Sequence, residues 1–339
     1  MKTLHLTNSY HPTSGGISTF YRAMLDAANR ERRLMRLVAP AEHSTVEEIG
    51  QYGRIYYLKA PSSPFFDRRY RLLTPRQYAP PFRRELRRIL EAERPEHRRP
   101  IDVLPMGAEV EELCAARASD VFRQSLLDEV QGTGRTRLLL YAGRLSPEKN
   151  ISLLIDLMAI LQADLEEDYR LLIAGSGPLA EWLANEARRR TPGRIHLLGH
   201  IADRRRLVDL YVNCDAFVHP NPREPFGIAP LEAMAAGIPL IAPRSGGVLS
   251  YAGDSNAWLC EPNAESYAQG IRAIMLDPAQ RKDKLAQARW TARHYNWENV
   301  TRQFFERYES MMSEFPTTRF AHLHSGRPQT QPKNSMAHE

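Results

Sequence analysis

The stretch Arg137-Leu-Leu-Leu-Tyr-Ala-Gly-Arg-Leu-Ser-Pro-Glu-Lys-Asn-Ile-Ser-Leu-Leu-Ile-Asp-Leu-Met-Ala-Ile-Leu161 sets the architecture. A short apolar run of strand length stops at Gly143, a polar loop follows, and a helix-length apolar pattern begins at Ser152. A second apolar run at 170–174 returns after the helix, and strand–helix–strand connections of this length make parallel pairs. Outward from there the same alternation recurs. Strands are expected at 137–142, 170–174, 194–198, 216–219, 239–242 and 257–260, with helices at 152–161, 179–189, 203–212 and 229–236 between them. This part reads as a complete doubly wound unit. Helices at 264–276, 282–295 and 299–313 complete the pattern, and from residue 314 the chain turns polar, prolines recur, and the reading is disorder.

Towards the N-terminus the same alternation is shorter. Strands are expected at 2–7, 34–39 and 54–58, with a helix at 17–29, before the apolar segment at 101–104. A sheet matching the second part needs further β-α units of about 30 residues each, so roughly 60–100 residues look absent from the first. The expected organisation is a shortened Rossmann-like unit over 1–104, a second Rossmann-like unit over 105–295, a terminal helix over 296–315 returning towards the first unit, and a disordered tail over 316–339.

The chain has 339 residues, 42% hydrophobic and 25% charged, an ordinary soluble composition with room for two cores. No apolar run is long enough to cross a bilayer, and the N-terminus enters a strand pattern directly, so a cytoplasmic protein is expected. Cys114, Cys214 and Cys260 are scattered and read as structural thiols. Formal net charge is +6, and the segment 67–100, with eleven arginines against five acids, carries as much by itself. Within it, residues 81–93 form an amphipathic basic helix pattern, read as a solvated face or as a surface for anionic lipid or an acidic acceptor. No zinc-finger spacing or aromatic–basic interleaving points to nucleic acid.

Four loops carry the chemistry. In Pro222-Arg-Glu-Pro-Phe-Gly-Ile-Ala-Pro-Leu-Glu232 two acids stand on either side of a helix start. Such a start binds phosphate, through the N–H groups of Ile228 and Ala229, with Gly227 permitting close approach. Carboxylates beside a phosphate need hydroxyl donors instead, which a sugar and a ribose supply; Glu224 and Glu232 are therefore candidates for the two ends of a nucleotide-sugar. The loop Gly143-Arg-Leu-Ser-Pro-Glu-Lys149 ends a strand, where open α/β sheets bind ligands, and Arg144 and Lys149 can offset charge on a leaving diphosphate. Gly175-Ser-Gly177 reads as a tight turn bordering the same crevice; the following strand lacks the acid of an NAD site. Gly15-Gly16, after the first strand, can approach a phosphate or sugar.

Together these motifs resemble the retaining glycosyltransferases of family 4, in the GT-B superfamily of two facing Rossmann-like α/β domains. The matching pieces are Gly15-Gly16, Gly143-Arg144, Lys149-Asn150, Gly175-Ser-Gly177, and Glu224 spaced from Glu232 around Phe226-Gly227. Leu104-Pro-Met-Gly-Ala108 is similar to the family's interdomain linker, with Ala108-Glu109 replacing its Val-Asp. The resemblance implies transfer of a hexose from a nucleotide-diphosphate donor, GDP-mannose or a UDP-sugar, to an acceptor hydroxyl with retention. It makes Arg144, Lys149 and Glu224 catalytic, and Gly15, Gly16, Gly143, Gly175, Gly177, Phe226, Gly227, Ile228, Ala229 and Glu232 donor-binding. No cofactor or metal is expected; the acceptor is an unspecified glycan, lipid or small molecule, with peripheral membrane contact open. The family's acceptor-side histidine has no counterpart, since His11 and His97 stand in other contexts. A non-catalytic or truncated nucleotide-sugar binder and an epimerase of the same fold stay open, while a glycosidase leaves Arg144 and Lys149 without a task.

Overall fold

The computed structural model describes residues 2–7, 10–11, 15–60, 104–164 and 167–314. The basic segment 67–100 with its helix pattern, the apolar residues 101–103, His97 and the tail from 316 lie outside the described residues.

The second sheet has six strands in the order β10-β9-β8-β5-β6-β7, every pair parallel. These are β5 (Thr136–Ala142), β6 (Asp168–Ala174), β7 (Ile195–Gly199), β8 (Ala216–Val218), β9 (Leu240–Pro243) and β10 (Trp258–Cys260). Side chains alternate across a strand, and here alternate residues enter separate cores: Leu138 and Leu140 join one cluster, Leu139 and Tyr141 the other. Leu172 and Ala174 of β6 go with the former, Leu171 and Ile173 with the latter. Both faces are covered, which is why β5 reads as a continuous apolar run rather than an alternating one. Each buried leucine contributes about 2 kcal/mol.

The first sheet has the order β1-β2-β4-β3, formed by β1 (Lys2–Leu6), β2 (Leu34–Ala41), β3 (Thr45–Ile49) and β4 (Gly53–Lys59). Three strands pair in parallel, as expected, but β3 was not foreseen and runs antiparallel to β4. The sequence Thr45-Val-Glu-Glu-Ile shows no buried face because four of its five residues are exposed. It occupies an edge, where charged strands resist further pairing, and Glu48 meets Arg54 at 2.7 Å across the ladder. The outer edge of β4 is therefore covered by β3.

Helix α1 (Gly15–Arg30) covers this sheet through Met24, Leu25, Ala27 and Ala28. Two helices absent from the sequence reading precede β5: α2 (Glu111–Ala115) and α3 (Asp120–Glu129). Next come α4 (Ser152–Leu161), α5 (Ala180–Arg190), α6 (Arg204–Asn213), α7 (Ile228–Ala236), α8 (Ala264–Leu276), α9 (Pro278–His294) and α10 (Trp297–Glu314). Asp277-Pro278 separates α8 from α9, but α9 starts at the proline itself: Asp277 caps it by accepting from Gln280 N, and proline lacks only an N–H that a first turn leaves unpaired. Helix α10 packs back on the first sheet unit, with Phe305 in that core and Arg33 over its ring at 5.0 Å. The segment Leu104–Ala108 meets the start of α10, where Ala108 N donates to Tyr295 O at 2.9 Å. Cys214 and Cys260 are buried and free, while Cys114 is half-buried.

Candidate functional site

The head of α7 is built from the loop after β8. Gly227 at the N-cap has φ 90°, a left-handed conformation that favours glycine, and its carbonyl accepts from Tyr251 OH at 2.6 Å. Among the described residues no side chain caps the helix, so the N–H groups of Ile228 and Ala229 receive no side-chain oxygen from them. Phe226 was expected among the ligand contacts. The residue is 9% exposed, and its ring packs edge-on against Tyr251 with centroids 5.1 Å apart. What that position offers a ligand is backbone, because the apolar ring is held in the core.

Glu224 lies just before this helix. Lys149 reaches it from the turn after β5, Nζ to Oε2 at 2.6 Å, and Asn221 Nδ2 donates to the same oxygen at 3.0 Å. Oε1 has no hydrogen-bond partner among the described residues. Burial pushes the carboxyl up, but the bond and charge from Lys149, with Asn221, more than reverse this, and Glu224 sits below the usual range. Lys149 is aimed by a short Pro147–Lys149 turn and by Asn150, left-handed at φ 53°, whose amide donates to Pro220 O at 3.0 Å. Arg144 is exposed; its carbonyl accepts from Tyr141 OH at 2.9 Å, and its guanidinium makes no ion pair among the described residues. His219 follows β8 beside this pair. It is 5% exposed, its Nε2 has no hydrogen-bond partner among the described residues, and burial lowers its pKa to about 4.

Glu232 stands one turn and a half along α7 in different surroundings. Arg204 Nη1 donates to Oε1 at 2.8 Å and Tyr211 OH to Oε2 at 3.1 Å. Only 9% exposed, the carboxyl is pushed up by burial, which Arg204 and Tyr211 oppose without reversing. The expected acid pair is thus divided: Glu224 is gathered with Lys149, whereas Glu232 faces α6.

The glycines divide as well. A Cβ on Gly175 would lie 1.9 Å from Gly143 O, and one on Gly177 2.3 Å from Leu145 O. Gly143 N donates to Ala174 O at 3.0 Å and Leu145 N to Ser176 O at 2.9 Å. Gly175 and Gly177 therefore hold the loop that carries Arg144 and Lys149, and the close approach they permit here is to backbone. Gly15 opens α1, and a Cβ on Gly16 would lie 3.3 Å from Ile228 Cδ1, so the first unit meets the head of α7.

Residues 125–291 match the family model described as Glycosyl transferases group 1. That span is similar to group 1 glycosyltransferases. It contains Lys149, Glu224, Glu232 and the whole of α7. The chain is 32% identical over 163 residues to a GDP-mannose-dependent alpha-(1-6)-phosphatidylinositol dimannoside mannosyltransferase of Mycobacterium tuberculosis, covering 48% of this chain and 41% of that protein. A glycogen synthase of the same organism is 34% identical over 167 residues, covering 48% of this chain and 40% of its own. The matches thus span well under half the length of these relatives. Among solved structures, sucrose-phosphate synthase from Thermosynechococcus elongatus superposes with a TM-score of 0.67 at 17% identity, covering 93% of this chain and 100% of that one. Anabaena HepE in complex with UDP and glucose gives 0.61 at 17%, covering 91% and 100%. The fold expectation, two Rossmann-like α/β units of the GT-B kind, is borne out.

His219, Arg204, Tyr211 and Asn221 were not singled out by sequence. Arg204 had no signal, being the first of three consecutive arginines at a helix start.

Proposed function

We propose that the chain is a glycosyltransferase that moves a hexosyl group from a nucleotide-diphosphate donor to an acceptor hydroxyl with retention of anomeric configuration. The observation that carries this reading is the Lys149–Glu224 pair beside the uncapped head of α7. The N–H groups of Ile228 and Ala229 take diphosphate oxygens at the positive end of the helix. As the bond from the anomeric carbon to the diphosphate breaks, Lys149 and exposed Arg144 offset the charge that develops on the leaving group. Glu224 Oε1, without a protein donor, accepts from a sugar hydroxyl. Glu232 keeps a lone pair on each oxygen beyond its two protein bonds and takes the ribose hydroxyls. Gly16 and Ile228 border the site from the two units. The acceptor oxygen forms the new bond to the anomeric carbon, and its proton passes to the departing diphosphate oxygen.

A GDP-mannose-dependent relative and a UDP-bound neighbour support donors of the GDP-mannose and UDP-sugar types, with the diphosphate held by protein cations rather than a metal, and the basic segment 67–100 supports an acceptor at a membrane surface. Among the described residues no helix is long and apolar enough to cross a membrane. The test is a thermal-shift panel of GDP, UDP, GDP-mannose and UDP-glucose followed by incubation with sugar, lipid and glycan acceptors. A ligand at a hundredfold its Kd raises stability by about 2.7 kcal/mol. A panel with no shift overturns the reading. Conversion of donor to a new nucleotide-sugar without acceptor replaces it with an epimerase.

A further inference from the structure

Arg204 is the first residue of α6, positioned by Asp203, whose side chain accepts from Arg205 N at 2.9 Å. Its guanidinium joins three elements. Nη1 donates to Glu232 Oε1 on α7 at 2.8 Å, Nη2 donates to Glu109 O on the segment between the two sheet units at 3.0 Å, and Nε lies 3.7 Å from Glu112 Oε2 on α2. On its other oxygen Glu232 receives Tyr211 OH, which also lies 3.3 Å from Ala229 O, so the carboxylate is held from both oxygens and Arg204 is its charged donor.

We propose that Arg204 is a positioning residue for the nucleoside: it orients Glu232 towards the ribose hydroxyls and ties that carboxylate to the segment joining the two sheet units. The inference rests on the nucleotide-sugar reading given above. A planar guanidinium can hold a carboxylate and a carbonyl at once in fixed geometry, which an ammonium cannot. Because Nη2 grips the Glu109 carbonyl, any displacement of that segment would reach Glu232 through Arg204, without passing through Lys149 or Glu224. The charged and titratable groups facing Glu232 are Arg204 and Tyr211 from α6, Glu109 from the joining segment and, through Arg204, Glu112 from α2. Arg289 of α9 holds the far end of α7 at Ala236 O, 2.9 Å, away from this group.

The experiment measures binding of GDP, UDP and inorganic pyrophosphate to the full chain by calorimetry between pH 5 and 8, for the unaltered protein, R204Q and R204K. R204Q is expected to weaken nucleoside diphosphate binding about tenfold or more while pyrophosphate affinity stays within about twofold, since the diphosphate is held elsewhere. Burial raises Glu232 and Arg204 opposes that rise, so in R204Q the acid limb of nucleoside binding moves to higher pH. R204K keeps a charge beside Glu232 and recovers the limb but not full affinity, because the second contact to Glu109 is lost. An equal loss for all three probes, or a limb that stays in place in R204Q, overturns the inference. If R204Q does not fold, R204K decides alone: unaltered affinity for the nucleoside diphosphate overturns the inference, and a selective loss supports it. Failure of the unaltered chain to bind GDP or UDP sinks the functional reading itself and this inference with it, which separates the two.

Discussion

Glu224 and Glu232 are the same residue type, eight positions apart on the two sides of one helix start, and the protein treats them oppositely. Glu224 lies in a loop cluster where an ammonium and an amide converge on one oxygen, and its carboxyl is held below the ordinary range against the pull of burial. Glu232 lies between helices where a guanidinium and a phenol take one oxygen each, and burial wins, leaving the carboxyl raised. Two acids in one motif thus acquire different chemistry from their neighbours, the usual way a site divides tasks between like groups. The loop end keeps an open oxygen for a ligand. The helix end is a finished network that leaves only spare lone pairs.

The largest effect that sharpens this contrast is expected from Lys149→Ala. It removes the cation assigned to the leaving diphosphate and leaves Glu224 to burial, so turnover of the donor identified by the panel should fall about 10²–10³-fold. Steady-state rates of nucleoside diphosphate release check this, and a fall below tenfold would break the assignment.

His219 gives the next. It sits by the Glu224 end, and its folded value of about 4 against 6.5 unfolded corresponds to roughly 3 kcal/mol. The unfolded chain binds the extra proton, so stability is full above pH 6.5 and is lost as pH falls towards 4. His219→Gln should flatten the melting temperature across that window in thermal denaturation; an acid limb as steep as that of the unaltered chain would show that the loss arises elsewhere.

Gly175→Ala tests whether the loop end depends on its backbone packing. A methyl 1.9 Å from Gly143 O forces the loop that carries Lys149 to move, costing about 1–3 kcal/mol, whereas Gly134, with nothing within 4 Å of its added Cβ, is the matched control. Chemical denaturation of both variants reads the difference, and equal midpoints would refute the packing account.

The smallest effects lie in the pH slopes of Glu224→Gln and Glu232→Gln. For Glu224, lowered in the folded state, stability is present above about pH 4.5 and lost as pH falls through the folded value. For Glu232, raised in the folded state, stability is present below about pH 4.5 and lost as pH rises through the folded value. Relative to the unaltered chain, E224Q should therefore grow less stable with rising pH and E232Q more stable. Slopes of the same sign would erase the comparison.

Much of this was legible in advance. The strands of the second sheet appeared within two residues of their places because β5 and β6, buried on both faces, need unbroken apolar runs, and glycine or proline marks their ends. The loops holding Lys149 and Glu224 were legible because strand ends gather at one edge of a parallel sheet. Edge strand β3 was not, since its exposed residues carry no period. The packing of Phe226 on Tyr251 was not legible, because a ring beside a glycine turn looks alike whether it meets a ligand or another ring. The backbone packing at Gly175 and Gly177 was hidden in the same way, as closeness to backbone and closeness to a phosphate both demand glycine.

What the sequence determined by itself was the alternation of strand and helix, the parallel sheet that alternation demands, and the positions of the loops, because periodicity and chain-breaking residues act locally. Only the tertiary structure decided which cation each acid takes. Lys149 meets Glu224 across 75 positions and Arg204 meets Glu232 across 28, and such partners are chosen by how the helices and strands pack, which no local pattern encodes.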